Sequence, residues 1–416
     1  MNLRIKDYTS KVGSGVTPKG GAESYLSSGI PLFRSQNVHN FGFLLDDIAY
    51  ISEEIDEQMS GSRVMPGDVL LNITGASIGR CYFTSDDFKG GNVNQHVCII
   101  RPNQKVVKPA FLHYLLISDK GQMYIDLSQT GANRQGLTIE EIRNFSFDIP
   151  TIKNQLRIVD YLDNQLAAID HRVEVLENEK DAYARLKKSV INQAVTRGLN
   201  PNVTLKDSGI DWIGMIPEHW EVKRIKDIGK LKLGKMLDEK PKDGYHLKPY
   251  LKSKNIGWNE LKLDEVEEMF FNESEMSLLR LQKGDLVLSE GGEVGKTALW
   301  NKELEECYIQ NSVQKLTVNE KGSSKYYLYL SCLLGQIGYY KSIVNLVSIM
   351  HLTFEKLRQV IVLCPPLKEQ QAIAAYLDEK CAKIDAAIDN ISKQIDASKR
   401  LKKAVINEAI SGKVKL

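Results

Sequence analysis

The chain has 416 residues, 42% of them hydrophobic and 26% charged, which is enough for two to three ordinary globular domains. No apolar run is long enough to cross a bilayer, and the N-terminal segment mixes charged and polar residues, so we expect a cytoplasmic protein without a signal peptide. The six cysteines include no CxxC pair and have no histidine at ligand spacing, which predicts reduced thiols and no bound metal.

The formal net charge of +2 hides a segregated distribution. Residues 222–254 contain eleven Lys or Arg against four acids, whereas residues 256–277 contain seven acids and one Lys. A basic stretch beside an acidic one suits a surface that contacts phosphates. It suits a solvated charged face equally well.

Residues 1–149 form the first predicted domain. They show strand-like alternation interrupted by Gly and Asn turns, as in GDVLLNITGASIG from Gly67 to Gly79. A long helix follows over residues 150–198, because apolar residues recur there in steps of mostly three and four. The Gly, Pro and Asn residues of the segment 199–220 predict a connector.

Residues 221–364 form the second predicted domain. Its segment GDLVLSEGGEVG, from Gly284 to Gly295, resembles the glycine-rich segment of the first domain. The segment 365–416 then repeats the long helix without a gap, 215 positions after the first copy (365 − 150). YLD recurs at Tyr161 and Tyr376, and RLKK-x-VIN at Arg185 and Arg400. The chain is therefore a tandem duplication with one long helix closing each half.

Each helix carries a narrow apolar stripe that it cannot bury alone. We therefore predict an α/β (α+β) fold in which two globular domains with mixed sheets are joined by two long helices. These helices pack as an antiparallel coiled coil with pseudo-twofold symmetry. The alternative is that each helix packs only on its own domain.

The sequence lacks the motifs of common catalytic sites. GGEVGKT from Gly291 to Thr297 resembles a phosphate-binding loop, but the required first glycine is Glu290. No HExxH spacing, nucleophile motif or amino-methylation tetrapeptide is present. We therefore expect a chain that is not an enzyme and holds no cofactor.

Several motifs together resemble one known family. These are NPNVTLKDSGIDWIGMIPEHWEVKRIKDI after the first helix, GDVLLNITGASIG, GLTIEEIRNFSFDIP before a helix, and the repeated YLD and RLKK-x-VIN. The combination, which covers essentially the whole chain, is similar to the specificity subunit of type I restriction-modification systems. One departure is that the first domain lacks the DSGIDWIG and IPEHW segment that leads into the second.

The resemblance implies that each domain is a target recognition domain for one half of a bipartite double-stranded DNA site. It also implies that the helices space the domains and dock two methyltransferase (M) subunits, which motor-nuclease (R) subunits join. S-adenosylmethionine, ATP and magnesium would belong to those partners.

DNA-reading residues should be polar side chains on loops, since Asn and Gln can pair with adenine and Arg with guanine. For each, the alternative is a turn residue that bonds its own backbone. The candidates are Arg34, Ser35, Gln36, Asn37, Asn92, Asn94, Gln95, His96, Asn133, Arg134, Gln135, Lys252, Lys254, Asn255, Asn311, Ser348 and His351.

Two other classes of function remain open from the sequence. One is an enzyme, a fused methyltransferase or nuclease, which would need a cofactor or metal motif. The other is a two-domain protein-interaction scaffold in which the coiled coil is only a spacer.

Overall fold

The computed structural model describes residues 1–129, 136–240, 242–344 and 351–414. The chain divides into two compact units. Unit 1 comprises residues 1–176 and 393–416, and unit 2 comprises residues 177–392. The expected Asn133, Arg134, Gln135 and Ser348 lie outside the described residues.

Unit 1 begins with twelve short strands among the described residues. They are β1 (Asn2–Arg4), β2 (Thr9–Ser14), β3 (Ile30–Phe33), β4 (Val38–His39), β5 (Gly42–Phe43), β6 (Ala49–Ile51), β7 (Arg63–Val64), β8 (Val69–Asn72), β9 (Cys81–Phe83), β10 (Gly91–Val93), β11 (Val97–Pro102) and β12 (Ser146–Asp148). Its helices are α1 (Glu53–Gln58), α2 (Pro109–Ile117), α3 (Asp119–Ser128), α4 (Ile139–Asn144) and the first part of α5 (Ile152–Arg197).

The strands of unit 1 form two four-stranded sheets with the orders β2-β11-β8-β9 and β6-β3-β10-β7, beside the pairs β1-β12 and β4-β5. The first sheet is antiparallel, whereas the second is mixed because β10 runs parallel to β3. Strands β8 and β11 are central and almost wholly apolar, so they are buried on both faces.

Unit 2 repeats this plan. Its strands are β13 (Leu205–Asp207), β14 (Met215–Pro217), β15 (Glu221–Arg224), β16 (Gly229–Leu233), β17 (Tyr245–Leu251), β18 (Glu267–Asn272), β19 (Leu286–Ser289), β20 (Thr297–Leu299), β21 (Tyr308–Ile309), β22 (Val313–Val318) and β23 (Ile361–Cys364). Its helices are α6 (Ile225–Ile228), α7 (Glu273–Leu279), α8 (Ser324–Gln336), α9 (Tyr339–Ser342), α10 (Phe354–Gln359) and the first part of α11 (Leu367–Ile410).

The sheet β16-β22-β19-β20 of unit 2 has the topology of β2-β11-β8-β9, and β18-β17-β21 again contains one parallel pair. The pair β15-β23 corresponds to β1-β12, and the connector adds the hairpin β13-β14. The duplication inferred from the long helices therefore extends through the sheets.

Each unit contains the start of one long helix and the end of the other, so the helices pair antiparallel within each unit. In unit 1, Lys402 Nζ lies 2.7 Å from Asp170 Oδ1. In unit 2, Lys187 Nζ lies 2.6 Å from Asp385 Oδ1. These are the same ion pair, since each member of one has its repeat in the other 215 positions away.

The predicted apolar stripe is largely buried, with Val159, Leu162 and Leu166 in the core of unit 1. Leu156 departs from it and is 44% exposed. Its neighbour Gln155 is buried instead, and its amide holds the backbone atoms of Lys108, Val106 and Pro150 at 2.8 to 2.9 Å. A polar residue therefore anchors the base of α5 to unit 1. No helix in the described ranges is long and apolar enough to span a membrane.

Candidate nucleic-acid interface

Three loops and Gly136 converge at one edge of unit 1. The side chain of Asn72 donates to Ser35 O at 2.8 Å, Ile73 N donates to His96 O at 3.0 Å, and Leu137 N donates to Ile73 O at 2.8 Å. Together with the bridge between Thr74 and Gly136, these bonds define a rim that we call the unit 1 rim, residues 34–37, 72–77, 94–96 and 136. Segments far apart in sequence thus form one polar edge.

Hydrogen bonds between side chains organise this rim. The Gln95 amide nitrogen lies 2.9 Å from His96 Nε2, and His96 Nδ1 lies 2.5 Å from Thr74 Oγ1. Because the amide can only donate, His96 Nε2 accepts and the imidazole carries its proton on Nδ1. Thr17 donates to the Gln95 carbonyl oxygen. Gln95 is exposed and His96 half-buried, so the rim presents oriented donors and acceptors to solvent.

Arg34, Ser35 and Gln36 occupy the turn after β3. Arg34 Nη2 donates to Asp47 O at 2.6 Å, its guanidinium lies 5.6 Å from the centre of the Tyr25 ring, and its side chain is 20% exposed. Arg34 is therefore largely committed to its own unit. Gln36 is exposed, and its side-chain amide donates to the exposed carboxylate of Asp47, a partner that it can exchange.

The equivalent loops converge in unit 2. Ser253 N donates to Ser312 Oγ at 3.0 Å, Glu290 N donates to Ser312 O at 2.9 Å, and Leu352 N donates to Glu290 O at 2.8 Å. Gly291 forms a bridge with the exposed His351, as Thr74 does with Gly136. We call residues 252–255, 289–293, 310–312 and 351 the unit 2 rim, which includes the half-buried Asn311.

The unit 2 rim is charged. Lys252 pairs with Glu267, and Lys254 Nζ lies 3.0 Å from Glu265 Oε2 and 3.3 Å from Glu267 Oε1. Hydrogen bonds from Lys252 and then Tyr250 lower the pKa of Glu267 to about 2, and the hydrogen bond that Lys254 donates to Glu265 raises the pKa of Lys254. Such exposed pairs contribute little to stability, so a phosphate can replace the carboxylates.

Glu290 differs from the other rim residues because its carboxyl is partly enclosed. Its Oε2 atom is buried without a hydrogen-bond partner among the described residues, and burial raises the pKa of this carboxyl. A carboxylate oxygen in this position can accept a hydrogen bond from a donor group that enters the rim.

Two of the expected DNA-reading residues hold the backbone instead. Asn37 accepts from Arg34 N at 3.0 Å and donates to Leu44 O at 2.8 Å and Asp47 O at 3.3 Å, and it is 1% exposed. Asn255 makes the corresponding bonds to Lys252 N, Lys262 O and Glu265 O and is 2% exposed. The prediction that these amides read bases is wrong, because both side chains are buried and both N–H groups of each amide are donated to backbone carbonyls.

The same correction applies to Asn92 and Asn94. Asn92 is fully buried, donates to Asp56 Oδ1 at 2.9 Å and Met59 O at 3.1 Å, and accepts from Ser62 Oγ at 2.6 Å. Asn94, also buried, accepts from His96 N at 3.1 Å and so shapes the turn that presents Gln95 and His96.

The structure also adds two residues, one in the unit 1 rim and one beside it, that the sequence analysis did not propose to read DNA. Thr17 and Thr74 contact Gln95 and His96, although neither lay in a loop that was singled out. Thr74 lies within the GDVLLNITGASIG segment. Its β-bridge to Gly136 joins residues far apart in the sequence and could not be predicted from it. The described residues contain no group of three or more His, Cys, Asp or Glu that could hold a metal ion.

Comparison with known proteins identifies the family. A profile of the type I restriction modification DNA specificity domain matches residues 4–177 and again residues 217–397. The chain belongs to this family. The two matches also reproduce the duplication, since each covers one globular region and much of the long helix that follows it.

Relatives and solved structures agree with this membership. A protein of Methanocaldococcus jannaschii that bears the name of the MjaX type I restriction enzyme specificity subunit is 23% identical, over 99% of this chain and 93% of its own length. A chain from a study of complex assembly in a type I restriction-modification system superposes with a TM-score of 0.73 at 16% identity, covering 99% of this chain and 97% of the other. The HsdS subunit of Thermoanaerobacter tengcongensis gives 0.60 at 18% identity, covering 100% and 97%. The fold of a type I specificity subunit is thus present along the entire chain, and its family role is DNA sequence specificity.

Proposed function

We propose that the unit 1 rim and the unit 2 rim each read one half of a bipartite double-stranded DNA site. The observation that carries this proposal is the same convergence of loops in both units, on matching frameworks but with different side chains. Hydroxyl, amide and imidazole groups on the unit 1 rim suit hydrogen bonds to base edges, and lysines on the unit 2 rim also suit phosphates.

The chain supplies recognition and no catalysis in this proposal. Two methyltransferase subunits dock on the long helices, motor-nuclease subunits join them, and S-adenosylmethionine, ATP and magnesium are bound by those partners in the cytoplasm. Family membership and the helices that close each duplicated half support this division of labour.

The test is to map methylated sites in cells that express the chain with its partner methyltransferase. Gln36→Ala in the unit 1 rim should relax one position in one half-site, because a bidentate contact to a base contributes about 1–3 kcal/mol of discrimination. Lys252→Ala in the unit 2 rim should either relax the other half-site or weaken all sites evenly, depending on whether it contacts a base or a phosphate.

Glu54→Ala is a matched control, since Glu54 is exposed in unit 1 and outside its rim. It should leave the methylated motif unchanged. The proposal of one rim per half-site would be contradicted if Gln36→Ala relaxed both half-sites. It would also be contradicted if neither Gln36→Ala nor Lys252→Ala relaxed a half-site.

A further inference from the structure

Glu290 occupies in the unit 2 rim the backbone position that Ile73 occupies in unit 1. The glycine-rich segments GDVLLNITG and GDLVLSEGG align there without a gap. Ile73 N donates to His96 O at 3.0 Å, and Glu290 N donates to Ser312 O at 2.9 Å. Ile73 is 5% exposed and belongs to the apolar core of unit 1. The shared framework therefore accommodates an apolar side chain at this position and does not require the carboxyl of Glu290.

The carboxyl of Glu290 differs from that of its neighbour in the rim, Glu293. Glu293 accepts from Trp258 Nε1 at 3.1 Å and pairs with Lys296 Nζ at 2.8 Å, and the bonds from Lys296 and then Trp258 lower its pKa. Glu290 Oε2 is buried without a hydrogen-bond partner among the described residues, and burial raises the pKa of this carboxyl. An unsatisfied buried acceptor costs stability and is characteristic of functional sites. Glu290 therefore keeps its capacity to accept a hydrogen bond from an incoming group.

The path from the rim surface to this carboxyl is not closed by the two residues that follow it. Gly291 and Gly292 have no side chains, and a Cβ added at the exposed Gly292 would meet no atom within 4 Å. Glu290 itself is half-buried. Rotation about the last side-chain bond of a glutamate is soft, so a small turn brings a carboxylate oxygen to a group at the rim surface.

Double-stranded DNA offers few donors to such a carboxylate. Phosphate oxygens, groove-facing ring nitrogens and base carbonyls accept hydrogen bonds, whereas the exocyclic amino groups of adenine, cytosine and guanine donate them. We propose, on the basis that the unit 2 rim reads one half-site, that Glu290 is a specificity-determining residue that accepts a hydrogen bond from the exocyclic amino group of one base. It excludes a base that places a carbonyl oxygen at that point, because two acceptors repel each other. Ile73 cannot form this contact, so the contact is confined to the half-site that unit 2 reads.

Glu290→Ile tests the contact because it copies the residue found at this position in unit 1. The full chain, assembled with its partner methyltransferase, is titrated into a fluorescein-labelled duplex that carries the mapped site. Binding should weaken roughly tenfold, as expected for the loss of one base contact. A duplex without the site should bind equally well or better, because the variant removes a negative charge. Long-range electrostatics alone predicts tighter binding to both duplexes, so the two explanations differ in sign.

Glu320→Gln is the matched control for the change in charge. Glu320 is exposed and follows the end of β22 that lies away from the unit 2 rim. Its substitution should leave the preference for the mapped site unchanged.

The stability of Glu290→Ile separates reading from folding. Replacement of an unsatisfied buried carboxyl by an apolar side chain should leave the melting temperature unchanged or raise it. A lower melting temperature would assign the carboxyl a structural role instead and overturn the proposal.

Base analogues identify the group that the carboxylate contacts. In the half-site that Gln36→Ala leaves unchanged, each amino group is removed in turn by replacing adenine with purine, cytosine with pyrimidin-2-one or guanine with hypoxanthine. One replacement should weaken binding of the unsubstituted chain roughly tenfold and leave binding of Glu290→Ile unaltered. Glu290→Gln, whose amide can donate as well as accept, should also allow methylation of sites with a carbonyl oxygen at that point.

The proposal is overturned if Glu290→Ile binds the mapped site as tightly as the unsubstituted chain does, or if every replacement weakens both chains equally. Either result leaves one rim per half-site intact as long as Gln36→Ala relaxes a single half-site. If Glu290→Gln relaxes the half-site that Gln36→Ala relaxes, one rim per half-site fails together with the role proposed for Glu290.

Discussion

Unit 1 and unit 2 have the same internal bracing but different exposed edges. Tyr114 donates to Asp163 Oδ1 at 2.5 Å in unit 1, and Tyr329 donates to Asp378 Oδ1 at 2.9 Å in unit 2. Each of these residues has its counterpart 215 positions away. These bonds tie the long helix of each unit to a shorter helix, α5 to α2 in unit 1 and α11 to α8 in unit 2, so both units share the same bracing.

The edges differ in chemistry. The unit 1 rim presents Gln36, Gln95 and His96, whereas the unit 2 rim presents the paired lysines Lys252 and Lys254. The comparison teaches that framework and rim are separable in this fold. Residues repeated in both units maintain the structure, and residues that differ are the candidates for recognition.

Exchange of a whole unit's reading region should have the largest effect. Replacing residues 1–149 with the equivalent region of a relative should change one half of the methylated motif completely and leave the other half intact, because the joint at Pro150 lies outside the rim. Sequencing of methylated sites measures this. A hybrid that alters both halves would show that the rims are not independent.

Removal of a repeated anchor should destabilise either unit to a similar degree. Gln155→Ala removes hydrogen bonds to the partly buried Lys108 N, Val106 O and Pro150 O, and Gln370→Ala removes those to Ser323 N and Pro365 O. We expect a loss of about 2–4 kcal/mol from the free energy of unfolding in each variant, measured by urea denaturation. Leu156→Ala, at an exposed neighbour, is the control and should cost less than about 1 kcal/mol.

One buried residue should make unit 1 more acid-sensitive than unit 2. Burial lowers the pKa of His113 to about 3, and its counterpart in unit 2 is Leu328. Below pH 6.5 the unfolded chain protonates this histidine while the folded chain does not, so stability is lost as the pH falls from about 6.5 towards 3. At pH 5 the cost is about 2 kcal/mol relative to pH 7.

His113→Leu should therefore flatten the dependence of the urea midpoint on pH between 7 and 4. The exposed His246 provides a control, because His246→Gln should leave that dependence unchanged. An equally steep dependence in His113→Leu would place the acid sensitivity elsewhere.

The smallest effect concerns the repeated ion pair. Lys402 is 14% exposed and its ammonium lies 3.5 Å from the centre of the Phe41 ring, whereas Lys187 is 32% exposed. Exposed pairs contribute little and cation–π contact adds to them, so Lys402→Ala should cost about 1 kcal/mol and Lys187→Ala less than about 0.5 kcal/mol. Equal losses, measured by thermal unfolding, would mean that Phe41 contributes nothing.

The long-range pattern of this fold could be predicted from the sequence. The repeat and its apolar steps indicated two long helices, which are observed at Ile152–Arg197 and Leu367–Ile410. The predicted apolar stripe was wrong at one step, where Leu156 is exposed and Gln155 is buried. Spacing alone does not reveal that a glutamine can be buried when backbone groups hydrogen-bond to both its carbonyl and its amino group.

The candidate site could be predicted only in part. An asparagine in a loop has the same sequence signature whether its side chain faces DNA or its own backbone, and so Asn37, Asn92, Asn94 and Asn255 were misassigned. A usable signal was present for two of them. RSQN and KSKN both end in asparagine, whereas Gln36 and Lys254 just before it differ, and this repetition indicates a framework residue. The bridges that gather the loops join segments too distant for any local pattern to reveal.

The buried asparagines Asn37 and Asn255 have a consequence for how such a protein changes over generations. Each fixes the path of a rim loop through three backbone contacts that do not involve the loop's outward side chains. We therefore expect substitutions at Gln36 or Lys254 to leave the loop's conformation unaltered. Single substitutions at these exposed positions can then change DNA specificity while the protein stays folded. The tolerance to mutation comes from the buried asparagines, which do not contact DNA themselves.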